Sequence, residues 1–179
     1  MNKYIAIGIG AVVILITGFV LLSNSTKEKD SPSLQEQNLE RDNQSSPTSQ
    51  VVNKQASFAI FTNGIFRVFS ASMYHNLSEN VYIQADNPNV IHVKKKGITW
   101  NDFFETLPFT LTKDCLTTGT KETFCTGANS SLRFYLNGDQ DQNALDKEVS
   151  AEDQLLVTFG NENVQQIQKQ IQKLKNMIN

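Results

Sequence analysis

Nineteen consecutive uncharged residues, Tyr4 to Leu22, constrain this chain more than any other feature. As a helix rising 1.5 Å per residue the run would measure about 28 Å, close to the roughly 30 Å of bilayer hydrocarbon. A cleaved signal peptide carries only about 7–15 apolar residues. The length therefore favours an uncleaved single-pass anchor, with residues 1–3 as a short cytoplasmic N-terminus. No Cys stands at the end of the run to carry a lipid. Any globular domain must come from the chain beyond Leu22.

Residues 23–56 do not supply it. They hold seven Ser, five Gln, four Asn, two Pro and no aromatic residue. Such a segment buries too little apolar surface to offset its ordering entropy. It is expected to be a disordered linker, spanning about 30 Å root-mean-square as a coil. Residues 57–160 hold ten of the eleven Phe and the only Trp, enough aromatic area for one core.

Residues 161–179 read as an amphipathic helix with Asn161 as its N-cap. Glu162 suits its positive end, and Lys169, Lys173 and Lys175 suit its negative end. Val164, Ile167, Ile171, Leu174 and Ile178 recur at spacings of 3, 4, 3 and 4, the a/d pattern of a coiled coil. The stripe lasts little more than two heptads. It serves either to pack on its own domain or to meet a partner helix or a second copy.

Cys115 and Cys125 are the only cysteines. Nine residues separate them, with Gly119 near the centre, so they read as directly opposite positions of a hairpin. Cβ atoms so placed lie about 4.5–5.5 Å apart, near what a disulfide needs. A bridge would place the domain in an oxidising, extracytoplasmic space. Orientation at the cell membrane rests on that bridge, because the basic residues flanking the span are nearly balanced. Four Asn-x-Ser/Thr sequons, at Asn24, Asn43, Asn76 and Asn129, fit an exported chain.

Within the domain, Ser57–Thr62 and Ile65–Phe69 flank Asn63-Gly64, a strong hairpin signal. Val81–Ala85 and Val90–Lys94 flank Asp86-Asn87-Pro88-Asn89 as a second hairpin. Thr99 opens a short helix with Asp102 as capping-box partner, and Trp100, Phe103, Phe104 and Leu107 fall on one face. Pro108 ends it. Leu132, Phe134 and Leu136 alternate toward the turn Asn137-Gly138, and Leu155, Val157 and Phe159 form the last strand. The expected class is α+β: a small, mostly antiparallel sheet, one short helix on one face, and the C-terminal amphipathic helix.

Phe134-Tyr-Leu-Asn-Gly138 and Leu155-Leu-Val-Thr-Phe-Gly160 resemble the last third of the ubiquitin-like, or β-grasp, fold. The whole of residues 57–163 is similar to a family of uncharacterised single-span microbial membrane proteins. The resemblance rests on the Asn-Gly hairpin, the Phe-Phe helix, the two Cys, the final Gly strand and a strand with two His. Here that strand reads Val90-Ile91-His92-Val93-Lys94, with Lys in place of the second His. A metal site implied by the His-x-His pair is thereby weakened. Ubiquitin-like sulfur carriers end in Gly-Gly, whereas this chain continues Gly160-Asn161 into a helix.

The residues offer little chemistry. Only His75 and His92 could act as an imidazole base, and no Ser lies in a Gly-x-Ser-x-Gly turn. The cysteines lack Cys-x-x-Cys spacing, and no phosphate-cradling Gly-rich loop occurs. No catalytic residue is assigned, and no enzyme is expected. Asp139-Gln-Asp141-Gln-Asn143 begins like an EF-hand loop but has Ala144 at the sixth position and Ser150 at the twelfth. His75 and His92, joined by Asp86 or Asp114, are the one candidate metal set. A net charge of −2 argues against nucleic acid. The sequence thus predicts a membrane-anchored, extracytoplasmic, non-catalytic binding or assembly module without a cofactor. Its expected surfaces are the C-terminal stripe and an exposed sheet edge. A metal-binding domain on His75 and His92 is the alternative.

Overall fold

A computed structural model of the chain describes residues 50–177. Its longest strand is β1 (Val51–Thr62), which begins inside the stretch expected to be linker. Val51, Lys54 and Gln55 extend the ladder to Lys95, Val93 and His92. The Lys54 ammonium donates to Glu148 at 3.0 Å and to the Val149 carbonyl at 3.2 Å. Composition hid this, because polar residues alternating with Val52 and Ala56 suit a strand of which only one face is covered.

Asn63 (φ 50°) and Gly64 (φ 76°) turn β1 into β2 (Ile65–Phe66), the left-handed pair that a type I′ hairpin requires. β2 stops at Phe66, short of the expected Phe69. β3 (Val81–Ile83) and β4 (Val90–Lys95) form the second hairpin. Helix α1 (Trp100–Glu105) follows, with the Thr99–Asp102 capping box in place. Then come β5 (Thr110–Leu111), β6 (Cys115–Thr117), β7 (Thr123–Cys125), β8 (Ser131–Leu136), β9 (Asp139–Gln140) and β10 (Gln154–Gly160). Helix α2 (Val164–Lys175) ends the described chain.

The main sheet runs β3-β4-β1-β10-β8-β9, with β2 also on β1. Every pair is antiparallel except the central β1–β10. The fold is therefore α+β with a mostly antiparallel sheet and two helices. β5, β6 and β7 form a separate three-stranded sheet; the cysteine spacing pointed to the β6–β7 hairpin, but nothing in the periodicity revealed β5. Its strands are two or three residues long, too short to show a period.

Pleating sends alternate side chains of β1 and β10 to opposite faces. Phe58, Ile60, Leu155 and Val157 join Trp100, Phe103 and Phe104 of α1 in the larger core. Ala59, Phe61 and Leu156 meet Ile167, Ile171 and Leu174 of α2 in a second, smaller core. The expected interaction stripe is thus largely spent within the domain. Of its described residues only Val164 stands out, 76% exposed. The sheet centre is apolar on both faces, and α2 is what covers the second.

The N-cap of α2 is Asn163, not Asn161, and it closes a reciprocal box with Gln166. Glu162 turns away from the helix toward Arg133. Ile178, the Tyr4–Leu22 run and the sequons at Asn24 and Asn43 lie outside the described residues. Among the described residues no helix is long and apolar enough to cross a membrane.

Candidate functional site

Cys115 and Cys125 are direct partners across β6 and β7 and form a disulfide. At the hairpin tip Lys121 takes the left-handed conformation (φ 69°). Gly119 packs close to the chain after α1, where an added Cβ would lie 3.1 Å from the Pro108 carbonyl. This bridged hairpin presents Leu116 and the turn Thr118–Thr120 toward the segment that leaves β2.

Between the two lies an apolar cleft of about 440 Å³, within the usual range for small-ligand sites. Ile60, Phe69, Tyr74 and Phe109 line its inner part. Phe69 packs edge-on to Tyr74 at 5.2 Å and tilted against Phe109 at 5.8 Å. Ile65, Val68 and Met73 form the mouth, 64%, 60% and 53% exposed. Three large aliphatic side chains exposed on one rim are unusual, because water is a poor environment for contiguous apolar surface.

Cations hold the neighbouring aromatic rings. The Arg67 guanidinium lies 5.2 Å from the Phe124 ring centre, donates from Nε to Thr62 Oγ1 at 2.6 Å, and stands 3.7 Å from Glu122. Lys173 of α2 sits 4.2 Å over Phe66. A cation over a ring face is attracted by the ring quadrupole.

His75 supports this site rather than a metal. Its Nε2 lies 2.9 Å from the Phe69 carbonyl oxygen, which can only accept, so Nε2 carries the proton. That bond pins the loop forming one wall of the cleft.

His92 lies elsewhere, in a larger polar cleft of about 740 Å³ with Asp86, Glu152 and Lys175. It stacks on Tyr82 at 5.2 Å, and its Nδ1 is 3.3 Å from the Gln55 amide nitrogen. Burial and the nearby Lys94 charge lower its pKa, and Asp86 opposes them. Asp153 in this cleft is committed to Asn137 and the Ser150 amide. Among the described residues no group of three or more His, Cys, Asp or Glu is placed to hold a metal. His75 and His92 therefore do not assemble with Asp86 or Asp114 into the candidate ligand set.

Asp141 is likewise occupied, by the Lys147 ammonium and the Asn143 amide, which lower its pKa. The apolar cleft was not legible in the sequence. Its one signal was Ile65, Phe66, Val68, Phe69 and Met73 crowded into nine residues with only a two-residue strand to use them. Comparison with family models, curated proteins and solved structures finds no match to this chain.

Proposed function

We propose that this protein is a single-span membrane protein displaying a non-catalytic binding module outside the cytoplasm. Tyr4–Leu22 is the anchor, and the Ser- and Gln-rich segment after it is the tether. The Cys115–Cys125 bridge supports an oxidising location, since disulfides persist where thiols are not kept reduced. The displayed domain is of the β-grasp type. The order β4-β1-β10-β8-β9, its central parallel pair and the helix between β4 and β8 support that assignment.

The observation that carries the binding reading is the apolar cleft beside β2, with Ile65, Val68 and Met73 exposed at its mouth. A domain with two well-filled cores gains nothing from leaving these residues in water unless something covers them. The working surface moves from the C-terminal stripe to this cleft, because Ile167, Ile171 and Leu174 are engaged by the sheet.

The test is a titration of the oxidised full-chain protein with an apolar fluorescent dye such as ANS. Saturable binding that is lost in Met73→Glu, with the unfolding midpoint unchanged, is the expected result. Absence of any saturable site would sink the reading. Location is checked separately, by adding protease to intact cells and asking whether the domain is released.

A further inference from the structure

Beside the cleft runs a strand edge that the fold leaves open. Thr62 and Ile65 flank the two-residue turn as a pair, and the Arg67 amide donates to the Ile60 carbonyl at 2.8 Å. Along an antiparallel ladder, groups bonded inward alternate with groups that face outward. The N–H and C=O of Phe66 therefore point away from β1, and the same alternation, carried past the end of β2 through the Arg67–Ile60 bond, turns those of Val68 outward too. They meet no main-chain partner outside that hairpin among the described residues. Exposed edges are usually blunted by Lys, Pro or a bulge. This one carries Ile65 and Val68 and opens directly onto the apolar cleft.

The rim is also charged against the trend of the domain. Residues 57–160 carry 8 basic and 12 acidic side chains. Around the cleft, however, Arg67 lines the wall, Lys121 follows the lining Thr120 and Lys173 sits over Phe66, while Glu122 stands 3.7 Å from Arg67 and the Glu162 carboxylate, bonded to the Gly64 amide, is neutralised by Arg133. A positive rim on an acidic domain favours a partner with acidic residues flanking its apolar ones.

We propose that this edge and cleft together take an extended segment of another polypeptide. It adds as a strand along Phe66–Val68, with apolar side chains in the cleft and acidic residues toward Arg67, Lys121 and Lys173. In this mode main-chain hydrogen bonds supply affinity, and pockets for alternate side chains supply specificity. A lipid or a small apolar molecule would use the cleft but not the edge. The inference rests on the binding-module reading above and names the occupant.

The experiment selects random linear peptides on the oxidised full-chain protein in detergent micelles, then follows the best peptide by binding and by amide hydrogen exchange. Enriched peptides are expected to alternate apolar residues and carry an acidic flank, and to slow exchange at Phe66 and Val68. Val68→Pro removes the outward donor and is expected to weaken the peptide by about tenfold, the loss of one main-chain hydrogen bond. Val68→Ala keeps that donor and is expected to weaken it clearly less.

Peptides that bind without protecting Phe66 and Val68 would overturn the inference. So would protection already present in the free protein, whether it vanishes on dilution, marking a second copy, or on deleting residues 23–49, marking the chain's own tether. Saturable dye binding with no selected peptide would end this inference and leave the binding module standing. Failure of both dye and peptide would end both.

Discussion

Arg133 and Glu162 form an ion pair under the end of the sheet, Nη2 to Oε2 2.9 Å, with side chains only 19% and 6% exposed. The same carboxylate accepts from the Gly64 amide at 3.0 Å, so it joins β8, the Asn63-Gly64 turn and the entry to α2. Arg133 also donates from Nη1 to the Glu162 carbonyl at 3.1 Å. Glu162→Ala would leave a largely buried guanidinium without its counter-charge. The expected loss is about 3–4 kcal/mol in urea unfolding, and the double variant Arg133→Met/Glu162→Leu is expected to recover part of it.

Gly160 makes room for that carboxylate. Its φ is +153°, and a Cβ there would lie 2.5 Å from Glu162 Oε1. Gly160→Ala is therefore expected to cost about 2 kcal/mol or more through strain and displacement of the carboxylate. In the Glu162→Ala background the same change is expected to cost less, and a double-mutant cycle reads the difference.

The disulfide closes an 11-residue loop, counting both cysteines. In the chain-entropy model this contributes about 3 kcal/mol. Paired Cys115→Ser/Cys125→Ser substitution is expected to lower the unfolding free energy by that amount. It is also expected to weaken dye binding, because the bridged hairpin supplies Leu116 and Thr118–Thr120 to the cleft. Calorimetry and dye titration of the same sample check both.

Ile171→Ala is expected to cost about 2–5 kcal/mol, as for a large-to-small change in a packed core, and to leave the subunit number unchanged. Val164→Ala, at an exposed position, is expected to stay within about 0.5 kcal/mol. Sedimentation and urea unfolding distinguish this outcome from one in which the stripe holds two copies together.

The lowered pKa of His92 gives a signed pH dependence. Burial, the first cause, penalises the charged ring, so the unfolded chain binds the proton more readily than the folded one. Stability is fully present above the ordinary histidine pKa of about 6.5 and falls as pH drops from there toward the folded value. Denaturation midpoints are expected to fall over that window, with a shallower slope in His92→Gln. Asp141 and Glu148 have lowered carboxyl pKa values, so their contribution is lost only at lower pH, as it falls through those values.

Most local structure was legible because it depends on neighbours in sequence. The Asn63-Gly64 and Asn137-Gly138 turns, the Thr99–Asp102 box, the aromatic face of α1 and the pairing of Cys115 with Cys125 all follow from turn chemistry, capping and alternation. Two of the misplaced boundaries share one reason in reverse. Val51–Ala56 become strand, and Asn163 replaces Asn161 as the cap, because β4 and Arg133 make contacts that composition cannot register.

The sequence by itself determined an uncharged run long enough to span a bilayer, an α+β domain and a disulfide hairpin, since each is written in short-range periodicity or in the count of two cysteines. Only the tertiary structure decided where the a/d stripe goes, that His75 and His92 serve different clefts, and that an open edge adjoins an apolar cleft. Those outcomes depend on which distant residues the β1–β10 crossover brings to one face, and chain spacing carries no record of that.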